Sequence, residues 1–174
     1  HGNLRWVWFR ILVKSLFDFI VEPVGQRYSN EVKIGDKSLI INTQIETFKS
    51  VNNIAKVVEI PKIYNTSIKV GDLIIIHHNV FRRWYNVRGE EKNSKAYFKE
   101  NLYFVQLDQV YLYKTKNTWK AFGNRCFVSP IKDTIDIHNN LEQFLVGILK
   151  YGNSALEVLG INEGDKVGYT PNGE

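Results

Sequence analysis

The chain alternates short runs of apolar residues with polar turn residues, and most of the runs are too short for helices. The runs are rich in Ile, Val, Tyr and Phe and are bounded by Gly, Pro, Asn or Asp, which is typical of β-strands. Helical periodicity is confined to residues 3–18 and 139–145. Strands are predicted in seven places: FDFIVEP, IAKVVEIP, DLIIIHH, ENLYFVQL, DQVYLYK, NRCFVSP and LVGILKYG. The pattern therefore predicts an all-β protein.

Three landmarks occur twice along the chain, in the same order. FIVEPVG matches CFVSPIK with the prolines 107 positions apart, AKVVEIP resembles VGILKYG about 91 positions on, and Gly71-Asp72 matches Gly164-Asp165, 93 positions on. The shared order predicts a tandem repeat whose second copy is incomplete. Chance resemblance between short β-rich segments is the alternative interpretation.

The two copies differ in the length of one segment. The stretch between the proline strand and the next strand covers residues 24–54 in the first copy and 131–145 in the second. Loops tolerate length changes that a scaffold does not, so the longer segment is a candidate functional element.

The repeated Gly-Asp pairs are predicted to be structural turns. Glycine allows a positive φ, and an aspartate side chain can accept hydrogen bonds from nearby backbone amides. The chain can therefore reverse sharply into the following strand at Gly71 and Asp72, and again at Gly164 and Asp165.

Composition narrows the class of protein without identifying it. The 174 residues are 44% hydrophobic, which is enough for a proper core. A net charge of +5 favours acidic partners without requiring one. Cys126 is the single cysteine, which excludes an internal disulfide and predicts a reducing compartment, the cytoplasm by default.

The N-terminal stretch RWVWFRILVKSLFDFIV is apolar but is interrupted by charges at Arg5, Arg10, Lys14 and Asp18. We therefore expect no membrane span there. No small-residue cleavage site follows, so a secretory signal is not expected either. The sequence contains no methionine and begins at His1, which suggests a fragment of a longer protein.

In their order, these elements resemble the GroES-like co-chaperonins, the ten-kilodalton lids of chaperonin cages. Members of that family open with a short strand ending near a proline (here FDFIVEPVG), followed by a long loop that carries a hydrophobic tripeptide. A strand (here AKVVEIP), a Val-Gly-Asp turn (here VGD before LIII) and a closing stretch (here YFKENLYFVQLDQVYLY) come next. The resemblance covers about residues 16–114 and begins again near 125.

The resemblance implies two small GroES-like β-barrels in tandem. An N-terminal extension would cover residues 1–15, the first barrel 16–116, and a truncated second barrel 124–174. Within the first barrel, the family pattern places a mobile loop at about 30–50. A hairpin insertion, which is not part of that pattern, is expected at about 79–98.

In the family, the tripeptide of the mobile loop docks into an apolar groove of the chaperonin. The matching residues here are Leu39, Ile40 and Ile41, within KSLIINTQIE. From the residues alone, three adjacent aliphatic side chains in a polar segment favour a segment that binds a partner. An ordinary buried strand is the alternative.

The resemblance also implies a non-catalytic function. The chain would assist ATP-dependent folding as a lid on a GroEL-like chaperonin ring, with the ATP bound by the partner and no cofactor of its own. Family members form homo-oligomeric rings from single domains, whereas this chain carries a tandem copy. Large double-stranded DNA phages carry divergent co-chaperonins, and the Asn-, Lys- and Ile-rich composition suits such a source.

A second hypothesis comes from the stretch between residues 77 and 99, which interleaves basic and aromatic residues. Arg82, Arg83 and Arg88 together with Trp84 could neutralise phosphates and stack bases, as in barrel-type proteins that bind single-stranded nucleic acid. A solvated hairpin with locally packed aromatic side chains is the alternative. A structural or assembly protein of a phage is a third possibility, because fold does not determine function.

No catalytic or metal-binding motif is predicted. His77 and His78 are adjacent, and neighbouring strand residues point to opposite faces, so the two rings should not share one ion. Asp136 and His138 share a spacing of two but have no third ligand or nucleophile in sequence, which favours a polar surface pair.

Overall fold

The computed structural model of the protein describes residues 14–28, 31–34, 37–40, 51–132 and 142–170. Within these residues, strands dominate and the only α-helix has five residues. The prediction of an all-β protein is confirmed. The chain folds as two compact units, residues 1–115 and 116–174.

The first unit is built around one antiparallel sheet. Its strands follow in the order β10-β5-β4-β1-β9-β8, and β2 with β3 and β6 with β7 form two separate hairpins. Short 3-10 turns occupy His78–Val80 and Leu107–Gln109. The strands are β1 Phe19–Pro23, β2 Glu31–Ile34, β3 Lys37–Ile40, β4 Ile54–Glu59, β5 Leu73–Ile76, β6 Arg83–Tyr85, β7 Glu91–Asn93, β8 Tyr97–Lys99, β9 Leu102–Val105 and β10 Val110–Thr115.

Strand β1 lies in the interior of this sheet, between β4 and β9. Phe19, Ile20 and Val21 are all at most 1% exposed. Successive residues of a strand point to opposite faces, so both faces of β1 are covered by other parts of the unit. Burial of each such side chain contributes about 1.5–3 kcal/mol. Neighbouring strands supply further buried side chains: Ala55, Val57, Ile74, Ile76, Tyr103, Val105 and Val110.

The second unit contains a three-stranded antiparallel sheet with the order β12-β13-β14. Its elements are β11 Thr118–Ala121, β12 Phe127–Lys132, β13 Glu142–Tyr151, α1 Ser154–Val158 and β14 Lys166–Gly168. Among the described apolar side chains of this unit, only Leu149 is buried. The second unit therefore has a much smaller described core than the first.

Each of the seven segments predicted as strands contains one. The candidate helix at residues 139–145 is instead strand from Glu142 onward, and residues 139–141 lie outside the described residues. Helix α1 was not predicted. Its N-cap Asn153 accepts a hydrogen bond from the Leu156 amide at 3.1 Å and donates to the Asn124 and Arg125 carbonyls, so a side-chain cap fixes this single turn.

The strand pairing of β1 with β4 recurs between β12 and β13. Both pairs are antiparallel, and both have an irregular register at the same place, between Ile20 and Val21 and between Phe127 and Val128. In the first pair of strands, the opposed residues are Ile20↔Glu59, Val21↔Val57 and Pro23↔Ala55. In the second, they are Phe127↔Tyr151, Val128↔Leu149 and Pro130↔Gly147. Each β12 residue therefore lies 107 positions after its β1 counterpart, and each β13 residue lies 92 positions after its β4 counterpart.

The Gly-Asp turns also share one geometry. Gly71 and Gly164 adopt φ values of 93° and 98°, in the left-handed region that favours glycine. Asp72 Oδ2 accepts a hydrogen bond from the Lys69 amide at 2.9 Å, and Asp165 Oδ2 accepts one at 2.8 Å from the amide three residues before it. Each glycine amide donates to the strand behind the turn, to Val57 O and Leu149 O, at 2.8 Å. Each turn therefore holds its strand in register.

Replacing Gly71 by alanine tests the first turn. Open space surrounds the position of the added Cβ, so the cost comes from the positive φ alone. We expect Gly71→Ala to lower the free energy of unfolding by about 1–2 kcal/mol, measured by chemical denaturation. Lys69→Ala is the control, because it keeps the amide that Asp72 binds and should stay within about 0.5 kcal/mol of wild type. Equal stability of both variants would contradict this prediction.

Candidate docking site

The long segment between β1 and β4 leaves the sheet through a closed neck, residues 24–28 and 51–54. Tyr28 and Val51 form an isolated antiparallel bridge. The Asn52 amide donates to Arg27 O at 2.8 Å, and the Val24 amide donates to Ile54 O at 3.0 Å. The two ends of the segment are therefore held side by side.

The side chain of Asn52 ties the neck further. Its Nδ2 donates to the carbonyls of Val24 at 2.7 Å and Gln26 at 3.0 Å, and its Oδ1 accepts from the Ile54 amide at 2.9 Å. An amide side chain can donate and accept hydrogen bonds at the same time. A carboxylate could only accept them and an aliphatic group could do neither, so neither could make the contacts of Asn52.

Between the two halves of the neck, β2 and β3 form a two-stranded hairpin with Glu31 opposite Ile40 and Ile34 opposite Lys37. In the part of the chain that the structure describes, this hairpin pairs with no strand of the main sheet. Leu39 and Ile40, two residues of the expected docking tripeptide, lie in β3, and Ile41 lies outside the described residues. The corresponding gap in the second unit, between β12 and β13, is only residues 133–141.

The neck is also fastened to the β6–β7 hairpin through Tyr28. The Tyr28 hydroxyl accepts a hydrogen bond from the Arg83 amide at 2.6 Å. The Arg83 guanidinium lies over the Tyr28 ring, 4.4 Å from its centroid, and forms an ion pair with Glu91 at 3.3 Å. A cation over an aromatic face is attracted by the ring quadrupole, so backbone and side chain of Arg83 hold the same tyrosine.

Arg27 makes a second connection between the neck and this hairpin. Its Nε and Nη2 donate to Phe81 O at 3.2 and 2.8 Å, and its Nη1 donates to Asn93 Oδ1 at 2.9 Å. The guanidinium also lies 5.2 Å from the centre of the Tyr103 ring. Burial raises the pKa of the Tyr103 hydroxyl, and the charge on Arg27 opposes that rise.

The hairpin insertion expected at residues 79–98 contains β6 and β7, with Trp84 opposite Lys92. The four basic and aromatic candidates for nucleic-acid binding are not equivalent in the structure. Arg83 is engaged inside the protein, whereas Trp84 is 50% exposed, Arg88 is exposed at the tip and Arg82 is partly buried.

His77 and His78 lie differently from the prediction. Strand β5 ends at Ile76, and His78 begins a 3-10 turn, so the alternation of strand faces does not apply to the pair. Their rings stack with centroids 4.3 Å apart. Asp136 and His138 lie outside the described residues. In the described ranges, no cluster of three or more His, Cys, Asp or Glu side chains could hold a metal ion.

Sequence reasoning missed the residues that fasten the neck to the β6–β7 hairpin. Arg27 and Tyr28 follow β1 without any motif, and their partners Phe81, Arg83 and Asn93 lie more than 50 positions later. A pairwise contact over such a separation leaves no periodic signal in a single sequence.

The described helix is also far too short to cross a membrane.

Comparison with protein-family models, with curated proteins and with solved structures gives no match.

Removing the Tyr28 hydroxyl tests the neck. The Arg83 amide would lose a hydrogen bond in a part-buried position, so we expect Tyr28→Phe to lower the free energy of unfolding by about 1–2 kcal/mol. Tyr64→Phe is the matched control, because that side chain is 45% exposed. Denaturant titration of both variants measures the difference, and an unchanged midpoint for Tyr28→Phe would show that the contact does not stabilise the neck.

His78 is expected to make the stability of the protein depend on pH. Burial, and then the nearby His77 and Arg82, lower the pKa of the His78 ring below its ordinary value of 6.5. The unfolded chain binds this proton more readily, so the free energy of unfolding should fall as the pH drops through the ordinary histidine range. We expect His78→Gln to reduce that fall, measured by denaturation at several pH values. A pH profile identical to wild type would contradict the assignment.

Proposed function

We propose that this chain is a non-catalytic, co-chaperonin-like lid that docks on a chaperonin ring through the segment at about residues 30–50. The observation that carries the proposal is the closed neck with a separate hairpin beyond it. The neck at Tyr28 and Val51 gives the segment a fixed origin. The β2–β3 hairpin, which contains Leu39 and Ile40, pairs with no other strand in the described part of the chain.

The physical properties of such a segment suit docking into an apolar groove. A two-stranded hairpin on its own is marginally stable in water, so a partner surface can add substantially to its order. Extended segments bind through backbone hydrogen bonds and alternate side-chain pockets. Leu39, Ile40 and Ile41 supply three adjacent aliphatic side chains for those pockets.

The two units are proposed to be related GroES-like barrels, the second truncated. The shared offsets of strand pairing and the shared turn geometry at Gly71 and Gly164 support a duplication. The first unit alone has a long segment after its proline strand, so each chain would offer one docking segment. Several chains in a homo-oligomeric ring would then multiply a weak individual affinity.

In this proposal the chemistry belongs to the partner. The chaperonin binds and hydrolyses ATP, and the lid requires no cofactor or catalytic residue of its own. The proposal places the chain in the cytoplasm with its partner, in agreement with the single, exposed Cys126.

The test is nucleotide-dependent co-sedimentation of the chain with a bacterial chaperonin. We expect binding that requires nucleotide and that falls at least tenfold when Leu39, Ile40 and Ile41 are all changed to serine. The reason is loss of the apolar contacts, each worth about 1 kcal/mol or more.

The matched control changes three other aliphatic residues to serine: Ile63, Val158 and Leu159, which are 56%, 87% and 73% exposed. This variant should bind as wild type does. Equal loss in both triple variants, or no nucleotide-dependent binding by the wild-type chain, would sink the proposal.

A further inference from the structure

The positive charge of the chain is concentrated in the β6–β7 region. Residues 81–99 contain six basic residues and two acidic ones, a net charge of +4, whereas the whole chain carries +5. Four of these basic residues lie in the β6–β7 hairpin or directly before it: Arg82, Arg83, Arg88 and Lys92; Lys95 and Lys99 follow it. A local excess of positive charge is an electrostatic footprint for an anionic partner. The docking segment proposed above does not account for it.

The strand pairing divides this hairpin into two faces. Arg83 and Asn93 are opposite one another, and both contact the neck, so they belong to the inner face. Trp84 and Lys92 are the next opposed pair and therefore project from the outer face. Contacts with the neck account for the residues of the inner face, but they do not account for those of the outer face.

The outer face presents an aromatic surface with cations around it. Trp84 is 50% exposed. Arg82 lies directly before β6, two positions before Trp84 in the chain. Arg88 and Gly89 form the tip, where Val87 is fully exposed. Lys92 extends the cationic surface on the strand opposite Trp84.

Most of these cations are available to a ligand. Within the described residues, Arg82 and Arg88 form no salt bridge, and Lys92 contacts Glu90 at 3.3 Å with both side chains about half exposed, at 48% and 55%. An exposed pair of this kind contributes little to stability, so a phosphate can replace the carboxylate at small cost.

We propose that the outer face of the β6–β7 hairpin, centred on Trp84 with Arg82, Arg88 and Lys92, binds single-stranded nucleic acid. An unpaired base can stack on the exposed indole while neighbouring phosphates contact the cations. A duplex keeps its bases inside the helix, and an acidic peptide offers charge without planar rings. The combination of indole and cations therefore fits a single strand better than either. This activity is independent of docking on a chaperonin.

The test is fluorescence anisotropy of the full chain with fluorescein-labelled dT20 and rU20 at salt concentrations from about 50 to 200 mM. We expect micromolar binding at the lowest salt. Trp84→Ala should weaken it by about tenfold, through lost stacking. Arg82→Ala and Arg88→Ala should each reduce the slope of log affinity against log salt by about one.

The controls are Tyr64→Ala and Lys69→Ala, which remove an exposed aromatic ring and an exposed charge far from β6 in sequence. Both should bind as wild type does, and all variants should keep the wild-type circular dichroism spectrum. Displacement of dT20 by poly-aspartate as effectively as by unlabelled dT20 would overturn the proposal in favour of an acidic protein partner. Failure of the chain to bind at 50 mM salt, or equal losses in the control variants, would overturn it outright.

Discussion

The hydrogen bond from the Arg83 amide to the Tyr28 hydroxyl ties the neck of the long segment to the base of the β6–β7 hairpin. It joins residues 55 positions apart at 2.6 Å, and the tyrosine is only 1% exposed. A part-buried amide that lost this acceptor would cost free energy, so the neck and the base of the hairpin are constrained together. Arg27 adds a parallel connection through Phe81 O and Asn93, so two neighbouring side chains of the neck contact the same part of the chain.

This constraint separates two kinds of basic residue that look alike in sequence. Arg27 and Arg83 lie over the rings of Tyr103 and Tyr28 and serve the fold. Arg82, directly before Arg83 in the chain, is partly buried, and Arg88, at the tip of the same hairpin, is exposed; within the described residues neither forms a salt bridge. The docking segment and the basic outer face are therefore both supported by one internal set of contacts, although each is proposed to bind a different partner.

Much of the fold could be predicted from the sequence, because its signals are local. Short β-branched and aromatic runs between turn residues indicate strands directly, and Gly71 and Gly164 take the positive φ that their turns require. The site was harder to predict, because its contacts are distant in sequence. Nothing in the neighbouring sequence distinguishes Arg83, which is engaged inside the protein, from Arg88, which is exposed. The five-residue helix α1 was also missed, because it depends on a cap at Asn153 rather than on a periodic pattern.

The central claim is that a fixed neck presents the segment at residues 30–50 to a chaperonin. Hydrogen–deuterium exchange of the chain, alone and with a nucleotide-loaded chaperonin, measures both parts in one experiment. We expect the amides of Asn52 and Arg83 to be protected in the free chain and unchanged in the complex, because they already donate to Arg27 O and to the Tyr28 hydroxyl. Residues 31–40 should gain protection only in the complex. Unchanged exchange at residues 31–40 with saturating chaperonin and nucleotide would contradict the claim.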